Sequence, residues 1–175
     1  MLRTLTVIAT LIPSALFAAG GETAPKPSET TQSCTGGQVW DAATKSCVDV
    51  KSDLLNDDTL YGAVREFAYA GQYENAQQAL AQMSDPNDDR VLTYMGFTTR
   101  KMGDVDAGIA YYEQAIANNP GNILARSYMG QALVEQGKLD AANRQLTAIN
   151  AAGGQDSWAA TSLRTAIKTG ATYSY

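Results

Sequence analysis

The sequence predicts an all-α protein: a stack of about three helix-turn-helix repeats with a C-terminal capping helix, preceded by a small disulfide hairpin. Three observations carry this expectation. A glycine-led segment occurs as Gly71-Gln72-Tyr73-Glu74-Asn75-Ala76, Gly103-Asp104-Val105-Asp106-Ala107-Gly108 and Gly137-Lys138-Leu139-Asp140-Ala141-Ala142. The second and third copies are 34 residues apart, and the first lies 32 before the second. Each copy sits between two segments whose apolar residues return at helical spacing. Two cysteines, Cys34 and Cys47, lie close together ahead of the first copy.

The chain opens with an export pattern. Met1-Leu2-Arg3 supplies a positive start, Thr4 to Phe17 is apolar or uncharged, and Ala18-Ala19-Gly20-Gly21 offers small residues for cleavage. The apolar stretch is short for a bilayer and contains Pro13. Residues 1–20 therefore read as a signal peptide, and the protein is expected to be exported, periplasmic or secreted, with no stable membrane anchor after cleavage. Residues 21–33 are dominated by Gly, Pro, Ser, Thr and Glu and read as a flexible linker.

Residues 34–48 read as a hairpin. Gly36-Gly37 supplies a turn, Gln38-Val39-Trp40 a short strand, and Ala42-Ala43-Thr44 a return toward Cys47-Val48. In an oxidising compartment Cys34 and Cys47 are expected to pair. A closed loop of about 15 residues is worth about 3 kcal/mol in the chain-entropy picture. The spacing of Cys34, Gly37, Val39, Trp40 and Cys47 is similar to a fragment of the cysteine-rich hairpins of extracellular carbohydrate-binding modules. That resemblance implies Trp40 as a sugar-stacking contact; the competing reading packs Trp40 against the disulfide or the neighbouring helix. The helical stack has its own core and is expected not to depend on this loop.

Residues 57–168 carry the repeats. Ahead of each glycine turn, residues at i, i+3, i+4 and i+7 form a stripe: Leu60, Ala63, Val64, Phe67; then Leu92, Met95, Gly96, Thr99; then Arg126, Met129, Gly130, Leu133, where the arginine breaks the pattern. After the turns come Ala76, Leu80, Met83; Gly108, Tyr112, Ala115; and Ala142, Leu146, Ile149. The glycines thus mark tight turns between antiparallel helices, and Asp85-Pro86 and Pro120 are expected to end the second helices. Residues 156–168 form one more helix with Ala160, Leu163 and Ile167 inward, a lid with a polar outer face.

These residues resemble the tetratricopeptide repeat, whose pattern is Trp-x2-Leu-Gly-x2-Tyr, Ala-x3-Phe and a proline at a period of 34. In the second copy Met95-Gly96 stands for Leu-Gly, Gly108 for the alanine, Tyr112 for the aromatic and Pro120 for the proline. The third keeps Met129-Gly130, Ala142 and Leu146 but has Gly154 where proline is usual; the first keeps Phe67, Gly71, Ala76 and Leu80 but loses the Leu-Gly pair. The resemblance implies a concave groove that holds peptide ligands. Carried over by repeat phase, its lining is Tyr61, Arg65 and Tyr69 from the first copy. The second contributes Arg90, Tyr94, Phe97, Arg100 and Lys101, and the third Tyr128 and Gln131. Arginine and tyrosine dominate binding hot spots. The lysine–asparagine clamp by which some members hold a terminal carboxylate is absent.

Composition narrows the chemistry. The 175 residues carry no histidine and only two cysteines, which removes the commonest general base and most zinc sites. A net charge of -5 argues against binding nucleic acid by phosphate neutralisation. Asp85, Asp88 and Asp89 cluster but lack calcium-loop spacing and read as helix caps. No catalytic constellation, metal site or cofactor motif is expected. The sequence points to a non-enzymatic, exported interaction protein, an envelope adaptor or assembly or chaperone subunit, whose partner is a protein or peptide with acidic and apolar residues. The alternative is a carbohydrate- or cell-wall-binding protein reading its ligand through Trp40.

Overall fold

The computed structural model describes residues 29–172. The expected signal peptide lies outside the described residues, as does most of the expected linker. The last five linker residues are helical instead: Glu29–Ser33 form α1. Strands β1 (Val39–Asp41) and β2 (Ser46–Val48) then pair antiparallel, with Trp40 opposite Cys47. Cys34 and Cys47 are bonded, their Cα atoms 5.6 Å apart. This unit is no free-standing appendage. The Thr31 N–H donates to the Glu66 carboxylate at 3.1 Å, and Val39 and Val50 are buried in one core with Leu60, Val64 and Phe67. A two-stranded hairpin is marginal alone and gains stability by covering an apolar face. Here it caps the open end of the first repeat, contrary to the expectation of an independent loop.

Seven helices follow. α2 (Asp57–Tyr69) pairs with α3 (Tyr73–Leu80), α4 (Asp89–Lys101) with α5 (Val105–Asn118), and α6 (Ile123–Glu135) with α7 (Leu139–Ala151); α8 (Trp158–Thr169) closes the stack. The repeated glycines end the first helices in the way expected. Gly71, Gly103 and Gly137 hold φ of 72°, 109° and 72°, a region open to glycine. The following N–H of each turn reaches back to Phe67, Thr99 and Leu133 carbonyls, so the orphan helix-end acceptors are satisfied. Asn56, Asp88, Asp104, Asn122 and Ser157 cap helix starts with side-chain oxygens. The expected extent of α3 needs correction: it stops at Leu80 rather than at Asp85-Pro86. Tight bonds from Gln82 N–H to Ala79 and from Met83 N–H to Leu80 close it early, and Met83 is buried from the loop.

The first helices α2, α4, α6 and α8 pack directly on one another, whereas each second helix packs chiefly on the first helices that flank it. The stack therefore curves toward the first-helix side. α6 lies at its centre, between α4, α5, α7 and α8. Ile123, Leu124, Ser127, Tyr128, Gln131, Leu133 and Val134 are buried around its whole circumference, so its sequence shows no clean polar face.

The tightest crossing is between α4 and α5. A Cβ on Gly96 would stand 2.6 Å from the Tyr112 ring and 2.9 Å from the Gly108 carbonyl oxygen; one on Gly108 would stand 2.9 Å from Arg100 Cβ. Over-packing of this kind costs about 1–3 kcal/mol. Gly96→Ala is expected to lower the unfolding free energy by about that amount in urea titration. Gly62→Ala, in α2 with nothing within 4 Å of the added carbon, should instead raise it by about 0.5–1 kcal/mol. Equal effects at the two positions would contradict the close crossing.

Candidate functional site

Repeat phase places one aromatic ring from each first helix at ring-contact distance from the next. Tyr61 of α2 meets Tyr94 of α4 at 5.7 Å, Tyr94 meets Tyr128 of α6 at 6.2 Å, and Tyr128 meets Trp158 of α8 at 6.3 Å. All three contacts are edge-on, the geometry that sets a ring's positive edge against its neighbour's negative face. Phe97 fills the angle, 4.8 Å from Tyr128 and 6.2 Å from Tyr73 of α3. Tyr112 of α5 approaches Tyr128 at 6.3 Å. Each such pair is worth about 0.5–1.5 kcal/mol beyond its burial.

Three arginines border this ladder, in different states. Arg90 is committed within the protein: its guanidinium donates to Asp88 at 2.9 Å and Asp58 at 3.3 Å while lying 5.2 Å from the Tyr61 ring centre. Those hydrogen bonds, first from Asp88, hold it firmly protonated. Arg65 is half-buried, with its Nε unpartnered. Arg100 is only 3% exposed. It reaches the Tyr128 carbonyl at 3.4 Å and Glu135 at 3.6 Å, and its Nε and second terminal nitrogen have no hydrogen-bond partner. Lys101 Nζ lies 5.9 Å from the Phe97 ring centre; burial, and then the Arg100 charge, pull its pKa down. The hydroxyls of Tyr61, Tyr94 and Tyr112 are buried without a formed hydrogen bond. Burial pushes all three phenols up; the Arg65 charge opposes this at Tyr61 and Tyr94, and the Arg100 charge at Tyr112.

Of the ten residues expected to line a groove, Tyr61, Arg65, Arg90, Tyr94, Phe97, Arg100, Lys101 and Tyr128 lie near one another, with corrections to their setting. Tyr94, Phe97, Arg100 and Tyr128 are interior, because rings at one phase of successive helices pack on each other, which a single-helix wheel does not reveal. Tyr61, Arg65, Tyr69, Arg90 and Lys101 are half-buried. Gln131 belongs to a different contact: its amide points at Ser127 and Ser162 in the α6–α8 interface. Two participants were not expected. Tyr112 was read as core alone, and Trp158 starts the capping helix at the ladder's phase. The recurrence of aromatics at positions 61, 94, 128 and 158 was the available signal. Trp40 is half-buried in β1, its backbone N–H bonded to Thr30 Oγ1 at 3.2 Å. Of the three aspartates expected to cap helices, Asp88 does so, accepting from the Arg90 N–H, whereas Asp89 accepts from the side-chain amides of Asn119 and Asn122 and Asp85 from the Asn87 N–H in the loop. Among the described residues no acidic, cysteine or histidine group is arranged to hold a metal ion, and no helix is long and apolar enough to cross a membrane.

Residues 100–167, from the end of α4 to α8, match the family model described as tetratricopeptide repeat. No curated protein and no solved structure matches the chain. The matched stretch is less than half of the chain; with the stacked hairpins it supports a tetratricopeptide-like fold, one that generally mediates protein–protein interaction.

The buried phenols make a prediction about alkaline stability. A phenol whose pKa is raised on folding keeps a proton that the unfolded chain releases above about pH 10. Stability is therefore fully present below that pH and falls as pH rises toward the folded values. Absorbance at 295 nm should show a group of tyrosines that stays protonated above the ordinary phenol range and ionises only as helical circular dichroism is lost. Ionisation of all nine tyrosines near pH 10 with the helices intact would contradict their burial.

Proposed function

We propose that the first-helix face binds a protein or peptide partner carrying acidic and apolar residues, and that the chain acts as an exported adaptor or assembly or chaperone subunit of the cell envelope. The single observation that carries this reading is Arg100. A guanidinium taken out of water with two donors unpaired is costly to keep, and its nearest carboxylate, Glu135, is at ion-pair but not hydrogen-bond distance. An incoming carboxylate would supply the missing acceptors in bidentate form, while the adjoining rings offer apolar contact. Lys101 and Arg65 add positive potential to the same face of an otherwise acidic protein. Export is supported by the leader-like residues 1–20 and by a disulfide whose formation needs an oxidising compartment.

Selection of random dodecapeptides on the immobilised full chain tests the reading. Enriched peptides are expected to combine Asp or Glu with apolar or aromatic residues. Arg100→Met should weaken them by roughly 2–5 kcal/mol, since it removes one desolvated charge partner. Lys138→Glu, on the exposed start of α7, should change little. Charge reversal at Arg100 is a poorer variant than the sequence alone would indicate, because it would bury an unpaired carboxylate close to that of Glu135. Peptides that bind Arg100→Met as tightly as the natural chain, but are lost with Trp40→Ala, would place recognition in the disulfide hairpin.

A further inference from the structure

We propose that the disulfide hairpin is a redox-sensitive cap: cleavage of the Cys34–Cys47 bond by a dithiol releases α1 and the hairpin from the first repeat and loosens α2. That this loosening lowers partner affinity rests on the proposed function; the release itself does not.

Each later first helix lies against the second helix before it: α4 against α3, α6 against α5 and α8 against α7. α2 has no such helix ahead of it among the described residues, and α1 with β1 stands in its place. The substitution extends to single residues. Thr98 of α4 accepts from the Gln77 amide of α3 at 3.0 Å. Glu66, at the same repeat phase in α2, accepts from the Thr31 N–H of α1 at 3.1 Å. Val39 is fully buried and Val50 nearly so, in one core with Leu60, Val64 and Phe67 of α2. The turn ahead of β1 also touches α3, since a Cβ on Gly37 would stand 2.9 Å from Asn75 Oδ1. The cap thus seats on both helices of the first repeat.

This cap is small enough to need its staple. α1 has 5 residues and each strand 3, lengths that are marginal alone. The disulfide ties the end of α1 to β2 across a separation of 13 residues, and the Trp40 N–H to Thr30 Oγ1 bond is a weaker second tie. Losing a closure of this length lowers the ratio of docked to released cap about a hundredfold. Both cysteines are only half-buried, and Ser33, Thr35 and Ser46 beside them are exposed, so a small thiolate reaches the bond in the folded protein. Its attack on one sulfur forms a mixed disulfide and frees the other cysteine. The dithiol's second sulfur then displaces the first, so that its two protons and two electrons end on Cys34 and Cys47 and its own sulfurs are joined.

α2 carries the consequence to the first-helix face. Leu60, Val64 and Phe67 share the hairpin's core, while Tyr61 and Arg65 of the same helix lie beside Tyr94.

The test follows amide deuterium exchange of the full chain, oxidised and after dithiothreitol, with thiol alkylation confirming reduction. Residues 30–50 are expected to exchange about a hundredfold faster when reduced, α2 by a smaller factor, and α6 to α8 at an unchanged rate. Oxidised glutathione should restore slow exchange, and Cys34→Ser/Cys47→Ser should copy the reduced form. Dodecapeptides from the selection above should bind the reduced chain several-fold more weakly. Unchanged exchange at residues 30–50 would overturn the release. Loss of protection throughout α4 to α8 would overturn it too, by showing hairpin and stack to be one unit. Faster exchange with unchanged peptide affinity would overturn the coupling to the first-helix face. Faster exchange with no peptide bound by either form would support the release while sinking the proposed function.

Discussion

The close crossing of α4 and α5 is the constraint on which the rest of the molecule depends. With no side chain at Gly96 or Gly108, the two backbones meet, and the space a Cβ would take is filled by the Tyr112 ring and by the Arg100 stem. Both side chains are thereby turned toward α6, one carrying a phenol and the other a guanidinium into the interior. The Tyr128 ring can then lie within reach of Phe97, Tyr94 and Tyr112 together. A larger residue at either glycine would push the hairpin open and dismantle the meeting point of the ladder with the charged corner.

The fold was largely legible in the sequence because its signals are local. Glycine turns at a period of 34 need a left-handed backbone, and Gly71, Gly103 and Gly137 have it. The stripes Leu60, Ala63, Val64, Phe67 and Ala160, Leu163, Ile167 face the core as their spacing requires. What was not legible lies between elements. The hairpin's packing on α2 depends on Val39 and Val50 meeting residues far along the chain. The alignment of Tyr61, Tyr94 and Tyr128 followed from repeat phase, but their burial did not. Tyr94 and Tyr128 look like surface residues on separate helical wheels and become interior only when the helices are stacked. Gln131 shows the same limit: its phase matches the groove, and the arrival of Ser162 on α8 draws it into an interface.

The distribution of polar groups differs between the two sides of the stack. Where polar side chains serve the fold, they are paired: Asn122 with Asp89 and Thr93, Ser127 with the Ala159 carbonyl, Arg90 with two aspartates. On the first-helix face the pattern loosens: the Tyr94 hydroxyl lies beside Arg65 and that of Tyr112 beside Arg100, but the hydroxyls and two Arg100 nitrogens are buried without a well-formed hydrogen bond. Such an arrangement lowers stability relative to an apolar core. Under the proposed function its retention beside the row of rings has a reason, because groups left unsatisfied in the free protein gain most when a complementary ligand arrives.

The direct measurement is the urea unfolding free energy of Arg100→Met against the natural chain, with no ligand present. Glu135 keeps enough solvent contact to stand alone, so removing the arginine strands no buried charge. If Arg100 is held for binding, the methionine variant should be as stable as the natural chain or more so, by up to about 4 kcal/mol. A loss of about 3–5 kcal/mol would show that the arginine is a structural strut, and would contradict the account.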